Sequence, residues 1–172
     1  MDVLSRTPAP ASAIDVCHAD GFRLSNGLQI RDSGVLILVG EALEWRPWNT
    51  NTGAEEGQGD GAEEGEGKEG AQGQREGWRG GNGLVSANGV LEFTAEGLGG
   101  LLRLVVPRPD LLVLGTGERT LRVGEGVLRA VREAGLRLVV SDTRNAAAQF
   151  NLLATERGTR EVCAALLPVG FR

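Results

Sequence analysis

The sequence predicts a single α/β domain: a mixed β-sheet with helices packed against it and an antiparallel hairpin at its N-terminal end. Three observations carry this. First, Asp110-Leu111-Leu112-Val113-Leu114 is a buried-strand pattern that runs straight into the loop Gly115-Thr116-Gly117-Glu118-Arg119. Second, after a helical segment, Leu136-Arg137-Leu138-Val139-Val140 runs in the same way into Ser141-Asp142-Thr143-Arg144-Asn145, where another helical segment begins. Strand–loop–helix units in tandem read as parallel strands, and polar loops at the carboxyl ends of parallel strands are where α/β proteins place their binding sites. Third, Gly34 and Gly40 enclose Val35-Leu36-Ile37-Leu38-Val39, an unbroken apolar run that suits a strand buried on both faces.

The elements follow in order. In Ile14–Ile30, Phe22 and Leu24 alternate with Arg23 and Ser25, and Leu28 and Ile30 alternate with Gln29. Asn26-Gly27 lies between them, a dipeptide that tolerates positive φ at both turn positions, so a hairpin is expected. The Val35–Val39 strand is central or lies under a helix, and Glu41–Trp48 follows, with Trp45 packing on the core. Leu91-Glu92-Phe93 forms a short strand or turn. From Thr94 a helix repeats Leu98, Leu101, Leu102 and Val105 at helical spacing despite Gly97, Gly99 and Gly100. Each such glycine costs roughly 1 kcal/mol relative to alanine, so this helix depends on tertiary packing; Pro107 and Pro109 end it.

The next helix carries Val123, Val127, Leu128, Val131 and Ala134 on one face, with Gly135 placed for a left-handed C-terminal cap. The last helix spans about Asn145–Ala154, with Asp142 or Thr143 as N-cap. Val162–Leu167 returns as a final buried strand. The parallel strands around Leu112 and Val139 are expected at the centre of the sheet.

Composition bounds the folded part. Between Thr50 and Gly83 lie twelve glycines, eight acidic and three basic residues, with Trp78 the only large apolar side chain. So little apolar surface cannot offset the entropy of ordering, and 50–83 is expected to be a disordered Gly/Glu-rich insertion. Residues 14–49 and 84–170 are then expected to form one domain, after a flexible N-terminus at 1–13. The net charge of −5 belongs to the insertion (three basic minus eight acidic), which leaves fifteen basic and fifteen acidic residues elsewhere. A formally neutral domain lacks the footprint of a nucleic-acid binder.

No apolar run approaches the roughly 18–20 residues that span a bilayer, so no transmembrane segment is expected. Cys17 and Cys163 match no zinc or CxxC spacing and read as structural thiols, and with His18 the only histidine no metal or other cofactor is expected.

Gly115-Thr116-Gly117 lies where glycines permit close backbone approach and helix-start amides attract anions. A dinucleotide fingerprint, however, would need glycine at Thr120, and a P-loop would need Gly-Lys-Ser/Thr. Glu118 also repels phosphate, and Arg119 completes the loop. In the second loop, capping accounts for Asp142 and Thr143. Asn145 and Asn151, six residues apart on one helix, leave two readings open: a structural network reaching the Gly115 loop or the final strand, or a ligand or partner pocket. No nucleophile paired with a base stands out, so no catalytic residue is assigned.

Asp110–Gly117, Ser141-Asp-Thr-Arg-Asn145 with Phe150-Asn151-Leu152-Leu153, and Ala164-Ala-Leu-Leu-Pro168 together resemble the MTH938-like domain family. The resemblance is strong over roughly the second half of the chain and weak over Ile14–Trp45. Arg144 stands where that family commonly has proline, which weakens a purely capping role for this turn and adds an exposed charge. The resemblance implies a single MTH938-like domain without enzymatic activity, acting as an assembly factor for mitochondrial respiratory complex I (NADH:ubiquinone oxidoreductase). It further implies another small assembly factor and complex I subunits as partners, with peripheral contact with the inner membrane through them. Met1–Ala13, with one arginine and an acid at position 2, is a poor transit peptide. The runner-up is a small-molecule or nucleotide-binding enzyme using Gly115–Gly117 and Asp142–Asn145; a cytosolic scaffold of the same fold is a third reading.

Overall fold

Runs of valine, leucine and isoleucine bounded by glycine or polar turns become ten strands among the described residues. These residues, in the computed structural model, are 10, 12–48, 84–93, 98, 102 and 104–171. The strands are β1 (Ile14–Cys17), β2 (Gly21–Leu24), β3 (Gln29–Arg31), β4 (Gly34–Leu38), β5 (Glu41–Trp45), β6 (Val90–Leu91), β7 (Leu111–Thr116), β8 (Arg122–Val123), β9 (Arg137–Ser141) and β10 (Val162–Leu167). Helix α1 covers Glu125–Glu133 and α2 covers Thr143–Arg157. The expected insertion at 50–83 and most of the expected N-terminal tail lie outside the described residues, as does most of the helix expected from Thr94. Of that helix, Leu98, Leu102 and Leu104 are helical, and Leu98 and Leu102 are buried.

The main sheet has the order β5-β4-β10-β7-β9. β4 is antiparallel to both β5 and β10, whereas β10, β7 and β9 run parallel. This corrects one expectation: β10, not β9, shares the centre with β7, and β9 lies at the edge with Leu138, Val139 and Val140 only partly buried. The apolar run of β9 looks like a central strand because Leu138 and Val140 pack partly against the core, and periodicity does not report whether a strand has a second neighbour.

Alternation along the central strands divides the core into two layers. Leu36, Leu38, Leu112, Leu114, Ala165 and Leu167 pack with Val127 and Val131 of α1 and with Leu98 and Leu102. Val35, Ile37, Val113, Val162, Ala164 and Leu166 pack with Ala146, Ala147, Phe150 and Ala154 of α2, and with Ile14, Phe22, Leu24 and Ile30. Both faces of β4, β10 and β7 are therefore covered, which is why these three strands read as unbroken apolar runs. Burying a side chain such as Phe22 or Phe150 contributes about 1.5–3 kcal/mol.

The second layer includes a three-stranded antiparallel sheet, β1-β2-β3. The expected hairpin forms at Asn26-Gly27, with the Leu24 N–H donating to the Leu28 carbonyl at 2.9 Å, but only Gly27, at φ +86°, takes positive φ; Asn26 does not. The β4–β5 hairpin was less legible, because its turn is Val39-Gly40 with φ +52° and +82°. Glycine takes that conformation freely, while a β-branched valine is costly there. Trp45 is buried and meets Phe93 edge-on, with ring centroids 5.3 Å apart. Gly135, at φ +80°, caps α1 with two bonds: its N–H donates to Arg132 and the Leu136 N–H donates to Val131.

Candidate functional site

The parallel strands β7, β9 and β10 all end at the same edge of the sheet, and their loops are knitted together there. Thr143 is the knot. It is fully buried; its hydroxyl accepts the Gly117 N–H at 2.9 Å and donates to the Leu167 carbonyl at 2.6 Å. Its own N–H donates to the Gly117 carbonyl at 2.9 Å. Thr116, 1% exposed, makes the companion contacts: its hydroxyl accepts the Leu121 N–H at 3.0 Å, donates to the Arg119 carbonyl at 2.7 Å and lies 3.1 Å from the Ser141 carbonyl. Both hydroxyls are thus used in holding strand ends.

The two glycines are dictated by contact. A Cβ at Gly115 would lie 2.7 Å from Leu166 Cδ2 and 3.0 Å from Thr143 Cα. Gly117 has φ +100°, and a Cβ there would lie 2.7 Å from the Phe171 carbonyl oxygen. Close packing of loop, helix start and C-terminal tail fills the space in which a bound phosphate would otherwise approach the backbone.

Asp142 is the N-cap of α2, with φ −62° and ψ 158°, and its carboxylate accepts the Asn145 N–H at 3.1 Å and the Asn145 side-chain amide. Slight burial acts to raise the Asp142 carboxyl, but the Asn145 side chain and the backbone N–H groups of Asn145 and Arg144 outweigh it and hold the group below its ordinary value. Thr143 follows the cap rather than being it. Arg144 and Asn145 are exposed in the first turn of the helix. Asn151 lies apart from the loops: its side chain accepts the Ile14 N–H at 2.8 Å and donates to the Ile14 carbonyl at 2.9 Å, clamping α2 to β1. Neither asparagine has a hydrogen bond to the Gly115 loop or the final strand among the described residues, so a network there is not what they form.

Beside the β7 loop opens a cleft of about 420 Å³ lined by Val85, Thr116, Glu118, Arg119, Leu121 and Phe171. Its size is within the range of small-ligand pockets. The structure therefore divides the expected site. Thr116, Glu118 and Arg119 face the cleft, whereas Asp142, Thr143, Arg144 and Asn145 form the neighbouring helix start and do not line it. Sequence reasoning missed Val85, Leu121 and Phe171; Gly170-Phe171, after the last strand, was the only local signal for a returning tail.

The thiols are poor reagents. Burial pushes Cys17 up to about 11, with Arg144 lowering and Asp142 raising it, and burial pushes Cys163 up to about 12. Among the described residues no group of three or more His, Cys, Asp and Glu side chains is placed to hold a metal ion, and no helix is long and apolar enough to cross a membrane.

Residues 14–167 match the family described as "Protein of unknown function (DUF498/DUF598)". The chain is 46% identical over 68 residues to NADH dehydrogenase [ubiquinone] 1 alpha subcomplex assembly factor 3 of Homo sapiens, a match covering 40% of this chain and 36% of that protein. The protein of the same name from Xenopus tropicalis is 43% identical over 68 residues, with the same shares. The match thus spans little more than a third of the length of these relatives. In fold, the chain resembles a Bordetella pertussis protein solved by NMR and described as an Mth938-like domain, with a TM-score of 0.51 at 20% identity, covering 95% of this chain and 90% of that one.

Proposed function

We propose, from the premise that the chain belongs to the DUF498/DUF598 family and has the Mth938-like fold, that it is a non-catalytic assembly factor for mitochondrial respiratory complex I. The observation that carries this is the 46% identity over 68 residues to a human protein named as such a factor. The chain works through protein contacts in mitochondria, where it helps the peripheral arm of complex I join its membrane part. Its partners are another small assembly factor and complex I subunits, through which it meets the inner membrane.

The contact surface is the carboxyl edge of the parallel strands. Two features support that choice. The edge presents Glu118, Arg119, Arg144 and Asn145 as exposed polar groups, and the Thr143 and Thr116 hydrogen bonds fix the loops that carry them. A preorganised polar rim around an apolar floor suits recognition at low entropic cost. The test is affinity purification of the tagged full-length chain from respiring cells. Complex I subunits and a second small assembly factor are expected to co-purify, and Arg119→Glu with Arg144→Glu is expected to reduce their recovery through slower association and charge mismatch. Recovery of neither class by the unaltered chain would contradict the reading.

The cleft of about 420 Å³ favours one alternative, a small-molecule or nucleotide-binding enzyme. A thermal-shift screen with nucleotides and dinucleotides distinguishes it, since a ligand at about a hundred times its Kd stabilises by about 2.7 kcal/mol.

A further inference from the structure

We propose that the outer face of the β1-β2-β3 sheet binds the phosphate group of a small phosphorylated molecule between Arg23 and Arg31. This face carries a second cleft, of about 360 Å³, lined by His18, Asp20, Phe22, Arg23, Gln29, Ile30 and Arg31. The β2–β3 register sets Gly21 opposite Arg31, Phe22 opposite Ile30 and Arg23 opposite Gln29. Alternation therefore sends Phe22 and Ile30, 1% and 3% exposed, into the core and leaves Arg23, Gln29 and Arg31 together on the outer face. The two arginines are diagonal neighbours, a spacing of roughly 7–8 Å between strands, from which two long side chains can close on one anion.

Neither arginine is neutralised from within the fold. Neither takes part in an ion pair among the described residues, and their one side-chain hydrogen bond runs from Arg31 to the Gln29 side-chain oxygen at 3.2 Å. That bond occupies the Gln29 oxygen and leaves its amide hydrogens as a third donor. Two guanidinium forks complement a dianionic oxyanion in charge and geometry. Asp20, also in the lining, is an acceptor whose carboxylate repels a bare anion placed against it. It suits a hydroxyl or amine on the body of the ligand, so a phosphate monoester fits better than bare phosphate.

The cleft is also built to stay open. No side chain can stand opposite Arg31, because a Cβ at Gly21 would lie 2.0 Å from the Ile30 carbonyl oxygen. The turn carrying His18 and Asp20 is pinned by the C-terminal tail: the Val169 N–H donates to the His18 carbonyl at 3.2 Å and the Gly170 N–H to the Ala19 carbonyl at 2.8 Å. The turn beside the two arginines is thus held in place, while the exposed guanidinium groups themselves are ordered by the ligand.

The experiment is a titration of the full chain with glycerol 3-phosphate, followed by amide NMR shifts, with glycerol and sodium chloride at matched ionic strength as controls. Saturable shifts are expected at Arg23, Gln29 and Arg31 with the phosphate ester alone. Arg23→Gln and Arg31→Gln, both at exposed positions, are each expected to weaken binding about tenfold, while Arg119→Gln leaves it unchanged. Shifts that do not saturate, that chloride reproduces, or that map to Thr116–Arg119 would overturn the proposal, as would unchanged affinity in both arginine variants. Should a variant fail to fold, the wild-type shift map still decides.

Discussion

Thr143 and Gly117 are joined by two hydrogen bonds, one from each N–H, both 2.9 Å long. Because the Thr143 hydroxyl also donates to Leu167, one side chain holds the ends of β7 and β10 against the start of α2. Thr143→Val would keep the shape of the side chain and leave a buried N–H and a buried carbonyl unpaired. The expected cost is about 1–3 kcal/mol, and Thr143→Ser should restore most of it. Urea unfolding measures both; a valine variant as stable as the wild type would show that these bonds do not hold the edge together.

The glycines at the same edge should separate by environment. Gly115→Ala places a methyl 2.7 Å from Leu166 Cδ2 and beside the Thr143 backbone, so a loss of about 1–3 kcal/mol is expected. Gly126, inside α1, has nothing within 4 Å of an added Cβ, and alanine there should raise stability by about 0.5–1 kcal/mol. Thermal unfolding of the two variants should therefore shift in opposite directions.

Asn151 ties α2 to the first strand across 137 residues of sequence. Asn151→Leu removes both bonds to Ile14 and is expected to cost about 1–3 kcal/mol. Local loosening should also speed amide exchange at Ile14, whose N–H Asn151 accepts, more than at Val113 in the sheet centre. Equal effects at the two amides would mean that the clamp is not local.

Asp142 gives the fold a pH-sensitive cap. Its folded pKa is depressed, so its contribution is present above the unfolded carboxyl value and is lost as pH falls through the folded one. The stability difference between wild type and Asp142→Ala, about 1 kcal/mol at neutral pH for a helix N-cap, should shrink across the acid carboxylate range. A difference that stayed constant to low pH would show that the carboxylate charge is not what caps α2.

Much of this was legible in the sequence because the signals are local. Asn26-Gly27 specifies its hairpin, Gly135 its cap, and Asp142-Thr143 the start of α2 to within a residue. The strands of the sheet centre announced themselves as apolar runs since both faces are covered. What was not legible depends on partners far along the chain. The edge position of β9, the separation of Asn151 from the loops and the approach of Phe171 to Gly117 are set by which segments pack together, and no spacing encodes that. The β4–β5 turn was hidden for another reason: Val39 adopts positive φ against its own preference, with Gly40 supplying the only turn chemistry. The cleft between Arg23 and Arg31 was visible only as strand alternation until the register put both arginines on one open face.

The central claim is tested most directly by native gels of mitochondrial membranes from cells lacking the gene, with and without the full-length chain restored. The account predicts a loss of assembled complex I, with the other respiratory complexes nearly intact, and recovery when the chain is restored. Normal complex I in the null cells would contradict it.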